Sequence, residues 1–268
     1  MESSDEPEDS SRVLKTATTT LDIIDALKDL NGATLTEISD HLDISKGAAY
    51  NHLITLHENE FVVKKNDIYQ LSPRFILLGE HARHEHLLYQ FGKNELDELV
   101  EQTGEYAQLM TEEHGLAIVV YQSMGDKAIG SDYPVEMRRK PLHLHHTAAG
   151  KSILANLPNS RVDKIIEKYN LPKRTSKTIT SQESLYNELE EVQERGYAYN
   201  KEEEVEGLRA VGAPIMGPDG SVLGALSLSG PKSRMDGDLF DEKIPDLVVN
   251  AADVIQVNIN MQHNVGQL

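Results

Sequence analysis

The chain has 268 residues, enough for one large domain or two ordinary ones with their own apolar cores. It has no cysteine, which excludes disulfides, a thiolate nucleophile and a zinc–thiolate site, and it has no apolar run long enough for a membrane helix. With 44 Asp and Glu against 26 Lys and Arg the formal charge is −18, which works against non-specific attraction to nucleic acid.

Residues 1–11 are acidic and serine-rich, a composition that predicts disorder and does not read as a secretion signal. Arg12 to Leu30 is amphipathic, with Leu14, Leu21, Ile24 and Leu27 expected on one face, and Asn31-Gly32 ends it. The stretch from Thr34 to Gln70 then organises the N-terminal part. Thr34 with Glu37 forms a capping-box pattern, and Leu35, Ile38 and Leu42 define an apolar face. Ser39 is small enough for a helix to cross closely, Asp43-Ile44-Ser45 is a turn, and Ser45 can cap a second helix over about Lys46 to Asn59. Ala49, Leu53 and Leu56 face inward on that helix, leaving Lys46, Gly47, Tyr50, Asn51 and His57 outside. No carboxylate occurs between Ser45 and His57, as suits a helix lying among phosphates and reading base edges. The run FVVKKNDIYQL alternates about an Asn66-Asp67 turn and carries Lys64 and Lys65 near its tip. Together these form a winged helix-turn-helix pattern over residues 12–72. Asp43, where many such turns have glycine, and His52, where an apolar residue is usual, depart from it.

Pro73 opens a helix predicted to reach about Phe91, a linker over residues 73–92. Its Ile76, Leu77, Leu87 and Leu88 suit packing on a neighbour or a second copy, while His81, His84 and His86 read as exposed histidines. Residues 93–268 mix the two element types. A helix from about Asn94 to Thr103 precedes strands at Tyr106–Thr111, Leu116–Gln122 and Lys127–Tyr133. His143 and His145 are expected to alternate on a strand, followed by a helix capped by Thr147. Helices near Ser160–Tyr169 and Ser181–Arg195, strands at Gly196–Asn200, Arg209–Met216 and Ser221–Ser229, and a helix over about Phe240–Met261 complete the chain. The order predicts an α+β domain with a curved, mostly antiparallel sheet and packed helices.

Three stretches of this domain suit a small anionic ligand. His146-Thr147-Ala148-Ala149-Gly150 is a helix start with free N–H groups. Gly207 to Pro214 is rich in small residues that admit a ligand to the backbone, and Ser227 and Ser229 share one strand face. Small residues and alternating serines also serve plain packing.

The chain resembles the IclR family of transcription regulators over nearly all of its length after the tail. The resemblance rests on LTEISDHLDISKGAAYNHLITLHENEFV, PLHLHHTAAGKSILA, RGYAYNKEEEVEGLRAVGAPI and GSVLGALSLSGPKSR, in that order. It implies a winged-helix domain, a linker helix and a GAF-like effector domain. It also implies a cytoplasmic homodimer, often a dimer of dimers, that binds near-palindromic double-stranded DNA operators and answers small organic acids of keto, aromatic or sugar type, without a cofactor, a metal or enzymatic activity. DNA contacts would come from Thr34, Ser45, Lys46, Gly47, Tyr50, Asn51, Lys64 and Lys65. Effector contacts would come from Ala148, Ala149, Gly150, Asn200, Leu208, Arg209, Ala210, Ser227 and Ser229. Asn200 departs from the acidic residue usual there, and Arg209 either faces the ligand or pairs with nearby glutamates.

A competing expectation is a metal site, structural or catalytic, on His143, His145 and His146, completed by a carboxylate such as Glu203. The acidity of the whole chain, winged domain included, suggests a high-salt cytoplasm, where repulsion from DNA is screened within a few Å.

Overall fold

The computed structural model describes residues 13–128 and 142–265. Contacts divide the chain into two compact units between Ala82 and Arg83. The acidic tail, and residues 129–133 of the strand expected from Lys127, lie outside the described residues.

In the first unit, helix α1 (Lys15–Asp29) precedes β1 (Ala33–Thr34), α2 (Leu35–His41), α3 (Lys46–Glu58), β2 (Val62–Lys65) and β3 (Ile68–Leu71). The strands form an antiparallel sheet in the order β1-β3-β2. The capping box closes as the sequence predicts. Glu37 N donates to Thr34 Oγ1 at 3.3 Å, and Thr34 N donates to Glu37 Oε2 at 2.7 Å. Ser45 Oγ accepts from Ala48 N at 3.1 Å and starts α3. Between the helices Asp43 has φ 50°, a left-handed conformation that aspartate tolerates better than most residues. That turn lets Ser39 donate its hydroxyl to Ile44 O at 2.7 Å and carries Ile44 into contact with the core of Ile23, Ala26, Leu27, Ile38, Ala49, Leu53, Leu56, Val62 and Tyr69. Asn66 and Asp67 both have positive φ, 48° and 65°, the twist a two-residue hairpin turn requires. His52 is no defect: its Nδ1 lies 2.8 Å from Thr20 Oγ1 and ties α3 to α1.

The α1 face is phased differently from the expectation. Ile23, Ala26 and Leu27 are buried, while Leu14 and Leu21 are exposed. Leu27 is common to both stripes, but Leu14 and Leu21 lie around the helix from Ile23.

The long linker helix also differs. It is α4 (Arg74–Glu85), which buries no residue, then a break at His86, then α5 (Leu87–Thr103) without interruption. His86 is extended, at φ −80° and ψ 124°, and its Nδ1 accepts from Leu88 N at 3.3 Å. The side chain thus caps a new helix where the backbone ladder stops. Leu88 is consequently core, fully buried with Leu96, Leu99 and Val100, rather than free for a second copy.

In the second unit five strands pair antiparallel in the order β5-β4-β8-β7-β6. They are β4 (Tyr106–Glu113), β5 (Leu116–Met124), β6 (Ala198–Lys201), β7 (Leu208–Met216) and β8 (Val222–Pro231). One face is apolar. Ala107, Leu109, Val211, Ala213, Leu226 and Leu228 pack there against α5 and the last helix, α9 (Ile244–Val265). The other face carries α6 (Ala148–Ala155), backed by α7 (Asn159–Tyr169) and α8 (Gln182–Arg195).

Asp43→Gly is expected to keep or raise stability by up to about 1 kcal/mol, and Asp43→Val to lower it by about 1–2 kcal/mol. Urea unfolding of the two variants checks this. Equal losses from both would mean that the carboxylate, not the left-handed backbone, is what the turn needs.

Candidate nucleic-acid interface and effector pocket

On α3 the packing of Ala49, Leu53 and Leu56 leaves Lys46, Gly47, Tyr50 and Asn51 exposed on the outer face, Tyr50 by 49%. Ser45 is exposed at the start of this helix. Its oxygen accepts from Ala48 N, so its proton remains available to an acceptor. Thr34 is half-buried and its hydroxyl donates to Glu37 Oε2 at 2.8 Å, which commits it to the cap of α2. Lys64 and Lys65 are exposed at the wing. Lys64 Nζ lies 2.9 Å from Asp67 Oδ1 and 5.2 Å from the Tyr69 ring centre. An exposed pair of this kind is weak, so a phosphate can replace the carboxylate.

In the second unit a short 3-10 turn, Leu144–His146, feeds α6, and Thr147 Oγ1 accepts from Gly150 N at 2.9 Å. Ala148, Ala149 and Gly150 are buried. The helix start lies directly on β7, where a methyl at Gly212 would come within 2.7 Å of Ala148 C and Ala149 N. The small residues of Gly207–Pro214 therefore first admit this helix to the strand. Ser152 Oγ donates to Gly212 O at 2.7 Å and fixes the seat.

The α6 face of the sheet is polar beside this seat. In register across the strands lie Ala198, Gly212, Ser227, Gln108 and Gln122, and beside them Asn200, Ala210, Ser229, Tyr106 and Met124. Ser227 is 1% exposed and its Oγ has no hydrogen-bond partner among the described residues. Tyr106 OH lies 2.9 Å from Gln108 Oε1 and 3.2 Å from Gln122 Oε1. The face thus gathers Ala148, Ala149, Ala210, Ser227 and Ser229, with Leu208 further along β7 on the same side. Gly212, from the small-residue stretch, belongs to it, and so do Tyr106, Gln108 and Gln122, which the sequence reading does not single out. The signal for Tyr106 and Gln108 was an alternation of polar residues in an otherwise apolar strand.

Two expected contacts have other partners. Arg209 points to the opposite side of β7, as strand alternation from Ala210 requires. Its Nη1 pairs with Asp236 Oδ1 at 2.7 Å, and its guanidinium stacks 5.1 Å from Phe240. Asn200 shares the pocket face, but its amide is occupied: Nδ2 donates to His146 O at 3.0 Å, and Oδ1 accepts from Glu203 N at 2.9 Å. An aspartate could not donate to that carbonyl, so asparagine here acts as a staple.

The histidines do not lie on a strand, because the 3-10 turn rotates each side chain differently. His145 Nε2 lies 3.2 Å from Pro172 O, and His145 and His146 stack edge to face at 5.0 Å. Glu203 is taken by Lys151, a fully buried lysine whose Nζ lies 2.7 Å from Glu203 Oε2 and 3.1 Å from Glu188 Oε1. No group of metal-ligating side chains converges among the described residues. Burial pushes His145 down to about 4 and His146 down to about 3, with the neighbouring histidines adding to it. Both are neutral at pH 7, which suits a packed core.

A histidine with a depressed folded pKa binds its proton more readily when unfolded, so stability is full above the unfolded value near 6.5 and falls as pH drops toward about 4 for His145 and about 3 for His146. The expected loss is up to about 1.4 kcal/mol per pH unit per group. Urea midpoints from pH 7 to pH 5 should fall more steeply for the natural chain than for His145→Gln/His146→Gln. Parallel slopes would mean that neither histidine is held neutral.

Comparison with known proteins agrees with this architecture. Residues 81–257 match the family described as bacterial transcriptional regulator IclR C-terminal, and residues 16–65 match the IclR helix-turn-helix domain. The chain is 39% identical over 240 residues to the probable HTH-type transcriptional regulator ArcR of Halobacterium salinarum, covering 89% of this chain and 91% of that protein. The crystal structure of the Thermotoga maritima IclR aligns with TM-score 0.71 and 25% identity, over 91% of this chain and 98% of that one. An IclR homologue from Microbacterium hydrocarbonoxydans, solved with 4-hydroxybenzoate, shares the fold at TM-score 0.77 and 17% identity, over 92% of this chain and 98% of that one.

Proposed function

The chain belongs to the IclR family of transcription regulators, a family of regulators rather than enzymes, and from that premise we propose a ligand-responsive switch for catabolic genes. The observation that carries the ligand half is Ser227. Its hydroxyl, without a partner among the described residues, sits in a buried row beside the start of α6, which is where a carboxylate finds N–H and O–H donors together. The ligand is a small organic acid held by Ala148, Ala149, Ala210, Ser227 and Ser229, with Leu208 at the margin. The metal reading is not favoured, since Glu203 belongs to Lys151.

The operator is double-stranded DNA. Lys46, Gly47, Tyr50 and Asn51 meet base edges in the major groove, and Ser45, Lys64 and Lys65 meet phosphate. The working unit is a homodimer. Supporting this are the exposed apolar side chains Val13 and Leu14 just before α1, Leu21 on α1, and Ile76, Leu77 and Leu78 on α4, Leu77 by 71%. The charge of −18, together with the Halobacterium relative, supports work in a salt-rich cytoplasm. The acid acts by binding one arrangement of the dimer better than the other, since a ligand shifts an equilibrium only by its differential affinity.

Genome-wide occupancy of the tagged protein, grown on different carbon sources at native salt, tests the reading. Sharp peaks beside catabolic genes that change with one carbon source are expected; no specific peak under any condition would remove the regulator. Asn51→Ala or Tyr50→Ala should weaken operator binding by about 10- to 100-fold, the loss of one base contact, with little change in melting temperature. Unchanged affinity in a gel-shift titration would place base reading elsewhere. Ser227→Val should abolish the response to the acid and leave operator binding intact; a variant that still responds fully would clear Ser227 of contact.

A further inference from the structure

We propose that Tyr106, Gln108 and Gln122 form a hydroxyl-reading floor of this pocket, so that its ligand is a short aliphatic acid carrying hydroxyl groups. The inference rests on the pocket assignment above and narrows its ligand class.

All three side chains are buried, and they come from adjacent strands. Gln108 of β4 is paired in register with Gln122 of β5 on one side and with Ser227 of β8 on the other. Tyr106 is paired with Ser229. The polarity is local. On the opposite face of the same strands the residues are Ala107, Leu109, Leu226 and Leu228, and further along the same face Met110 and Ala225 are apolar. A face that only needed filling would carry apolar side chains throughout, because a buried amide costs free energy unless hydrogen-bonded.

The hydrogen-bond accounting indicates what the floor can take. Tyr106 has one hydroxyl proton, and two amide oxygens lie within reach of it, at 2.9 and 3.2 Å. It donates to one of them at a time, so the other amide must turn or take a donor from elsewhere. The next side chain in the row, Ser227, adds a buried hydroxyl with no partner among the described residues. A ligand hydroxyl, donor and acceptor at once, answers either orientation of the amides. A second carboxylate does not, since it only accepts. The flat face of an aromatic ring offers the floor no hydroxyl, and would leave the amide that Tyr106 does not reach without its donor. The floor carries no formal charge, so it sorts the neutral part of the ligand, while the carboxylate lies toward Ser227 and the start of α6.

The test is titration calorimetry and thermal shift on the full-length protein with matched probes: D-gluconate against hexanoate, glycerate against propanoate, and benzoate. At least one hydroxylated acid should bind about tenfold or more tighter than its bare partner and tighter than benzoate. Gln108→Met and Gln122→Met keep the side-chain volume and remove the hydrogen bonding. Each should shrink that ratio about fivefold or more. Tyr106→Phe should do the same, and it is a second route if a glutamine variant does not fold. Ser227→Val should weaken hydroxylated and bare acids alike. If acids bind, Ser227→Val weakens them all, and the bare or aromatic acid is preferred, the hydroxyl floor is overturned and the pocket stands. Binding of no probe, or binding indifferent to Ser227→Val, overturns the pocket and the floor with it.

Discussion

The second unit depends on one close approach, the first turn of α6 lying on the backbone of β7 at Gly212. A single methyl on that glycine would meet both Ala148 and Ala149 at 2.7 Å, closer than real side chains come. Interiors are packed so densely that such a clash moves the helix rather than the methyl. The neighbouring bonds follow from this seat. Ser152 reaches the Gly212 carbonyl, Asn200 reaches the His146 carbonyl, and Lys151 reaches Glu203 and Glu188. Thr175 and Thr178 in turn hold the carbonyls of Glu202 and Glu203. The helix start is thereby fixed from several directions beside Ser227. Preorganised donors of this kind need little rearrangement when an anion arrives.

Local features were legible in the sequence because their causes are local. The Thr34–Glu37 box, the Ser45 cap and the Asn66-Asp67 turn each involve residues within three positions of one another, and the structure contains all of them. The α1 phase was not legible because Leu14 and Leu21 outweigh Ile23 and Ala26 in the pattern, and an exposed surface can carry leucines as a core does. The break at His86 was missed for a related reason. The periodicity of a helix continues through a cap when both halves are helical, and a histidine accepting from an amide two residues on leaves no pattern.

The candidate site was legible in part. Alternation alone put Ser227 and Ser229 on one face, and the small residues at the start of α6 suggested a close approach. What approaches was not readable, and the strand's own contact with the helix accounts for much of it. Arg209 next to Ala210 looked equally available, yet the two point to opposite faces. Gln108 and Tyr106 acquire meaning only once β4 is known to pair with β8, more than a hundred residues away. No spacing rule reaches that far. Asn200 looked like a weakened ligand contact and is instead a complete hydrogen-bond pair, a distinction that needs the positions of His146 O and Glu203 N.

Charge separates the two tasks of the molecule. A chain at −18 gains little from long-range attraction to DNA, so its affinity must come from contacts inside the screening distance. The outer face of α3 meets that condition. From Ser45 to His57 it presents lysine, glycine, tyrosine and asparagine and no carboxylate, while acids lie before and after it in the sequence. Lys64, with Asp67 at 2.9 Å, contributes a partly neutralised charge rather than a free one. Fewer net phosphate contacts mean less counterion release and a shallower dependence on salt. Base contacts and groove shape then carry a larger share of the binding free energy, which favours sequence discrimination over tight but indiscriminate association. A similar economy marks the polar rows of the sheet face beside α6, which among the described residues carry no lysine or arginine but offer hydroxyls and amides. Such buried dipoles lose less strength to salt than exposed charges do.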